Sequence, residues 1–168
     1  RVGWRGPTIW FEWGQRSSGA DTRPVTGADW TTPEFALGAH PMLIQHGRAH
    51  AEVQPDVQVF SAIDWGNHPR TALAHTASGD ILLITIDGRT SAGTGMSTPA
   101  LANWIRDEFD VVSAINLDGG GSTTMAVNDC WVGSNYGEGG ARAVNTPSDG
   151  RSRAVRSGIY LKRSADDF

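Results

Sequence analysis

Three consecutive glycines follow an aspartate at the end of an apolar run: Val111 to Leu117 leads into Asp118, Gly119, Gly120 and Gly121, then Ser122 and Thr123. The apolar run predicts a strand that delivers Asp118 to its end. Glycines at that point let the backbone turn sharply and approach a ligand closely. Successive N–H groups in such a turn can form an anion-binding nest, to which Ser122 and Thr123 would add hydroxyl donors. The alternative is a glycine-rich hairpin loop in which Asp118 merely closes a turn, and spacing alone does not separate the two. A nucleotide phosphate loop is excluded, because the segment lacks its Lys-Ser/Thr ending and following helix.

The rest of the chain reads as strands around one helix. Thr8 to Trp13 alternates, with Ile9, Phe11 and Trp13 on one side, and predicts a strand bordered by a polar loop, Gln15–Thr26. Pro41 to His46 followed by Gly47 predicts a short strand and a turn, and Val57 to Ile63 another strand. Thr71–Thr76 and Ile81–Ile86, joined at Ser78-Gly79, predict a hairpin. Thr98 followed by Pro99 predicts a helix start, capped by Thr98. Leu101, Trp104, Ile105 and Phe109 then recur at helical spacing. Thr123–Val127 and Ser157–Lys162 read as the last strands. Strands, one helix and more strands make an α+β domain, with a mixed or antiparallel sheet and one principal helix packed on it.

Bulk properties narrow the function classes. A length of 168 residues allows one domain with a real core and is short for two. A net charge of -4 gives no long-range attraction to nucleic acid or an anionic membrane, although local arginines can still bind phosphate. No apolar run approaches a membrane span. Cys130 is the single cysteine, so no disulfide forms within the chain. The chain opens at Arg1 with no signal peptide, and its natural start is expected to be removed or to lie upstream.

Three further segments carry chemistry-bearing residues. His68-Pro69-Arg70-Thr71 starts a strand, and Arg70 is a planar, permanently charged donor suited to bidentate phosphate contacts; the plain alternative is a solvated charge at a strand end. Asp87-Gly88-Arg89 ends another strand, so Asp87 is a candidate acid, base or metal ligand and Arg89 a second phosphate clamp, unless this is an ordinary Asp-Gly turn. Asn145 to Arg153 is a turn-rich loop before the last predicted strand.

Taken in order, Arg70-Thr71-Ala72, Asp87-Gly88-Arg89, Asn116 to Thr123, and Asn145-x-Pro147-Ser148-Asp149-Gly150 with Arg153-x-Val155 resemble the phosphodiester glycosidase family. Leu37 to Ile44 with Gly47-Arg48 is similar to that family's glycine-rich segment before a Pro-hydrophobic strand. The resemblance runs from about Phe35 to Leu161. Ala39 and His40 stand where the family usually keeps glycines, and the portion 1–34 of this single 168-residue domain is expected to be divergent or incomplete.

The resemblance implies a hydrolase that releases an α-linked sugar, of the N-acetylglucosamine-1-phosphate type, from a phosphodiester and leaves a phosphomonoester. It assigns the phosphate to Arg70 and Arg89, assisted by Asn116, the Gly119, Gly120 and Gly121 amides, Ser122 and Thr123. Arg48 and Arg153 are secondary candidates for the rim. Asp118 and Asp87 are the candidates for the nucleophile or for the base that activates water; their separation decides between retaining and inverting chemistry. His40 and His68 are acid/base candidates weighed against an ordinary hydrogen-bonded role. No cofactor is required by any ligand spacing, and a divalent cation such as calcium near Asp87 or Asp118 stays open.

The expected partner is a carbohydrate phosphodiester or glycopolymer, with no nucleic acid. Trp4, Trp10, Trp13 and Trp30 offer sugar-stacking faces, core packing, or an interface with other domains or subunits. The family's usual substrates imply an extracellular, cell-envelope or virion-associated setting. Two alternatives belong to other classes: an inactive phosphoglycan-binding module of an envelope or phage-tail assembly, and a structural domain whose glycine turns only close the sheet.

Overall fold

The computed structural model describes residues 2–5, 8–11, 14–16, 22–24, 35–49, 62–128, 141–155 and 158–161. In chain order the early strands are β1 (Val2–Arg5), β2 (Thr8–Phe11), β3 (Gly14–Arg16), β4 (Thr22–Pro24) and β5 (Phe35–Leu37). Next come β6 (Met42–Gln45), β7 (Arg48–Ala49), a short helix α1 (Ala62–Trp65), β8 (Arg70–Thr76) and β9 (Ile81–Ile86). The main helix α2 (Thr98–Glu108), β10 (Val111–Asn116), β11 (Ala126–Asn128) and β12 (Ala141–Ala143) complete them. The expected α+β, strand-rich fold is what the chain adopts.

Five strands in the order β7-β6-β10-β8-β9 form the main sheet, every pairing antiparallel. Alternation along the strands gives this sheet two buried faces. Ala72, Ala74, Ile84 and Ala114 pack with Leu101, Ala102 and Ile105 of α2. Small residues on the strands let the helix sit close, and full burial of Leu101 and Ile105 contributes about 1.5–3 kcal/mol each. On the opposite face Leu73, Ile115 and Met42 meet Leu37, Leu83 and Ile159.

The helix stripe is core, as its spacing predicts, but its cap lies one residue earlier than expected. Ser97 is the N-cap, its hydroxyl accepting from the Ala100 N–H at 3.3 Å. Thr98 is the first helical residue and donates instead to the Asp64 carbonyl of α1 at 2.9 Å. The C-terminal end is closed by the Phe109 N–H on the Ile105 carbonyl, with the Phe109 ring edge-on to Trp104 at 5.6 Å.

The β8–β9 hairpin and β10 form where the sequence predicts them. β6 ends in a tight turn at His46 and Gly47, both with positive φ (52° and 73°), which returns the chain as β7. Other expectations are corrected. Ile63 belongs to α1, not to a strand, while 57–61 lie outside the described residues. The expected loop Gln15–Thr26 contains β3 and β4, paired from Gly14↔Pro24 to Arg16↔Thr22. Thr123 to Met125 are not in a strand; β11 starts at Ala126 and pairs with β12, which no pattern in the sequence announces. Gly158 to Leu161 form no regular element, and Ser157 and Lys162 lie outside the described residues. Among the described residues no helix is long and apolar enough to cross a membrane.

Candidate active site

Antiparallel pairing collects the chemistry at one end of the sheet. The register sets Arg70 opposite Ile86 and Asn116 opposite Ala72, so the start of β8 meets the ends of β9 and β10. The start of β6 joins them, because Ile115 pairs with Met42. A cleft of about 560 Å³ opens there, lined by His68, Arg70, Arg89, Asn116, Asp118 and Arg153, among others.

Arg70 is 4% exposed. Its Nε donates to the Met96 carbonyl at 2.8 Å, and its Nη2 to those of Ile63 at 2.6 Å and Gly66 at 2.8 Å, with Asp64 at 3.4 Å. Arg70 thereby pins α1 to the sheet while its positive charge faces the cleft. Burial holds its pKa below the usual arginine value, and Arg89 adds to this while Asp64 opposes it.

Arg89 is exposed and sits at φ 55°, a conformation uncommon for a residue with a side chain. Its Nη2 lies 2.9 Å from His68 Nδ1. Burial, then Arg89, then Arg70 hold the His68 imidazole below its ordinary pKa, so the neutral form is favoured. His68, an acid/base candidate weighed against an ordinary hydrogen-bonded role, is hydrogen-bonded here, and its place in the cleft comes from the 68–96 pairing.

Asn116 is 6% exposed and ties β10 to the segment before β6. Its Nδ2 donates to the carbonyls of His40 (2.9 Å) and Leu117 (2.8 Å), and its Oδ1 is buried without a partner. His40 lines the cleft beside it. Asp118 is exposed, and its Oδ1 accepts from the Gly119 N–H at 2.9 Å.

The glycines act mainly by letting chains approach. The Gly120 N–H goes to the Pro69 carbonyl at 2.9 Å, and a Cβ on Gly119 would lie 2.7 Å from that same oxygen. The Gly119 and Gly120 amides are thus committed within the fold and leave no open three-amide nest. A Cβ on Gly121 would run into the Arg153 guanidinium and Asp149. Arg153 donates through Nε and Nη2 to Asp149 Oδ2 (3.2 and 2.7 Å), and this bond holds the Asp149 carboxyl below the usual carboxylate range.

Four nominated residues do not line the cleft. Asp87 accepts from Asn145 Nδ2 at 2.9 Å and the Thr146 N–H at 2.8 Å, one on each carboxylate oxygen. Those bonds make it an anchor for the 145–153 loop, which carries Arg153. Ser122 continues the tight turn through its N–H to the Gly119 carbonyl, and Thr123 is fully buried against Thr71 Oγ1 at 3.3 Å. Arg48 pairs with Gln45, which faces Ser113, placing it toward the opposite end of β10 from Asn116. Asp64, buried in α1, is a cleft residue the sequence gave no reason to nominate. No three His, Cys, Asp or Glu side chains converge as a metal site among the described residues.

Residues 13–162 match the phosphodiester glycosidase family, a span that contains every cleft residue. The chain belongs to that family. One relative is the mouse N-acetylglucosamine-1-phosphodiester alpha-N-acetylglucosaminidase, 44% identical over 59 residues, which are 35% of this chain and 11% of that protein. Another is the SPbeta prophage-derived uncharacterized protein YomE of Bacillus subtilis (strain 168), 32% identical over 100 residues, or 60% of this chain and 14% of that protein. The chain therefore spans a small part of the length of these relatives. The catalytic domain of the zebrafish N-acetylglucosamine-1-phosphodiester alpha-N-acetylglucosaminidase, auto-inhibited by its pro-peptide, superposes with a TM-score of 0.44 and 27% identity, over 52% of this chain and 31% of that one.

Proposed function

We propose that this phosphodiester glycosidase family member hydrolyses a sugar-1-phosphodiester of the α-N-acetylglucosamine-1-phosphate type, releasing the sugar and a phosphomonoester. The observation that carries the reading is one exposed carboxylate, Asp118, in a cleft that it shares with three guanidinium groups, Arg70, Arg89 and Arg153. Cleavage of the anomeric C–O bond places positive character on the sugar carbon and negative charge on the departing phosphate oxygen. Asp118 faces the first, as nucleophile or as the base that takes a proton from water; Arg89 and Arg153 hold the second, with Arg70 adding fixed positive potential from beneath. Water supplies the oxygen that replaces the phosphate at the anomeric carbon. A phosphate leaves without a strong general acid, so a histidine kept neutral is no handicap.

A substrate of this kind places the work outside the cytoplasm, at a cell envelope or on a virion, and the prophage-derived relative is in keeping with the second setting. Release of N-acetylglucosamine from an α-N-acetylglucosamine-1-phosphodiester tests the proposal. The parent should turn over, and Asp118→Asn should lose about 10³-fold or more in kcat while its stability stays within about 0.5 kcal/mol. One observation favours a second reading, a phosphoglycan-binding module: Asp87, the other nominated carboxylate, is spent on a loop, whereas glycosidases ordinarily use two. A folded parent that binds the diester without turnover would decide for the module.

A further inference from the structure

We propose that His68 is the positioning residue for Arg89: its ring, accepting at Nδ1, holds the Arg89 guanidinium over the Gly120 turn, where that guanidinium takes the substrate's phosphate. The inference rests on the phosphodiester reading and adds the group that keeps the exposed arginine in place.

A guanidinium has no lone pair to offer, so in the 2.9 Å contact Arg89 Nη2 donates and His68 Nδ1 accepts. That fixes the tautomer, with the imidazole proton on Nε2. The ring itself is held from behind. The His68 N–H and carbonyl exchange hydrogen bonds with Met96 at 3.3 and 3.0 Å. Gly95, at φ 97°, leaves room for the His68 carbonyl, which a Cβ there would overlap. A Cβ on Gly66 would lie 2.6 Å from His68 Nε2. Two glycines and a backbone bridge thus set the ring, and the ring sets Arg89. On its far side Arg89 Nη1 lies 3.4 Å from where a Gly120 Cβ would stand, beside the Asp118 turn.

The charged groups around the ring make this hold one-directional. Arg89 and Arg70 both bear on His68 as cations, while Asp64 offsets Arg70 from α1 and Asp118 lies across the cleft. Protonation at Nδ1 removes the acceptor and adds a positive charge to a cleft that already holds Arg70, Arg89 and the Asp149-paired Arg153. Arg89 is then released from its seat, so acid weakens anion binding through His68, although a cationic cleft would otherwise bind anions more tightly.

Sulfate is the probe, because its charge is constant from roughly pH 7 to pH 5 while His titrates. Calorimetry on the whole chain should show affinity for sulfate falling on acidification. His68→Phe, which fills the space without an acceptor, should bind about tenfold more weakly at neutral pH, the loss of one charge-assisted hydrogen bond. His68→Asn, whose amide oxygen can replace Nδ1, should stay within about threefold of the parent and lose the acid dependence. On the diester, His68→Phe should raise KM more than it lowers kcat. Parent-like sulfate binding by His68→Phe, or no rescue by His68→Asn, overturns the proposal. Nitrogen NMR of the parent gives an answer independent of any variant: a proton on Nδ1 at neutral pH also overturns it. His68-dependent sulfate binding without diester turnover keeps the positioning role and removes only the hydrolase reading.

Discussion

Arg70 and Arg89 face the same cleft, yet they are held by opposite means. Arg70 is buried and gives Nε and Nη2 to the main-chain carbonyls of Met96, of Ile63 in α1 and of Gly66 just after it. Arg89 is exposed, leans on a histidine ring, and shares its side of the cleft with Arg153, which is paired to the exposed Asp149. The first wall is therefore a product of folding. The second is an arrangement of side chains that pH, salt and ligand can alter, because exposed charges are screened and exchange partners readily.

Substitutions that separate the two walls put this contrast at risk. The largest effect should come from Arg70→Ala, which strands several carbonyls that lose their donor. We expect about 3 kcal/mol or more off the unfolding free energy, read by denaturant titration. A loss under about 1 kcal/mol would mean that the wall does not depend on this side chain. Gly119→Ala and Gly121→Ala form a matched pair. The first drives a methyl against the Pro69 carbonyl, which is backbone, and should cost about 1–3 kcal/mol. The second meets the Arg153 and Asp149 side chains, which can swing away. It should cost less than about 1 kcal/mol while weakening sulfate binding about tenfold. Equal stability losses in the pair would erase the distinction between the walls.

Acidification should act on the second wall alone. His68 has a folded-state pKa below its unfolded value, so its contribution is complete above the ordinary histidine pKa and is lost as pH falls through the lowered one. Thermal melts followed through that window should show only a small decline, against a clear fall in sulfate affinity. The smallest effect is expected for Asp149→Asn. Its carboxylate is exposed, so melting should not change, and freeing Arg153 should strengthen sulfate binding most at low salt.

What the sequence revealed follows the reach of local rules. The β8–β9 hairpin, the α2 stripe and the Val111–Asn116 strand are written in periodicity, and Asp118 at a strand end followed from them. Roles settled by partners far along the chain were not legible. Asp87-Gly88 and Asp118-Gly119 look alike as dipeptides, but Asp87 is claimed by residues 58 and 59 positions away. Arg70 resembles a solvated strand-end charge until β8 is flanked by α1 and the Met96 segment. The glycine run suggested amides open to a ligand, whereas Gly120 spends its N–H on Pro69. His68 stands in the His68–Thr71 segment as an acid/base candidate, but nothing local announces its contact with Arg89, which follows from the pairing with Met96.

The place of β10 in the sheet also bears on how the chain acquires its site. β6 and β8 are both complete in the sequence before β10, yet neither pairs with the other; each waits for the strand between them. During synthesis a chain that has reached only Asp110 presents two unpaired edges, the arrangement most prone to join a neighbouring molecule. Insertion of β10 closes both edges, and the residues that follow it directly are Leu117 and Asp118. The carboxylate thus arrives at the cleft in the same event that joins the two halves of the sheet, so a chain in which β10 fails to insert lacks Asp118 at the cleft and leaves the inner edges of β6 and β8 open.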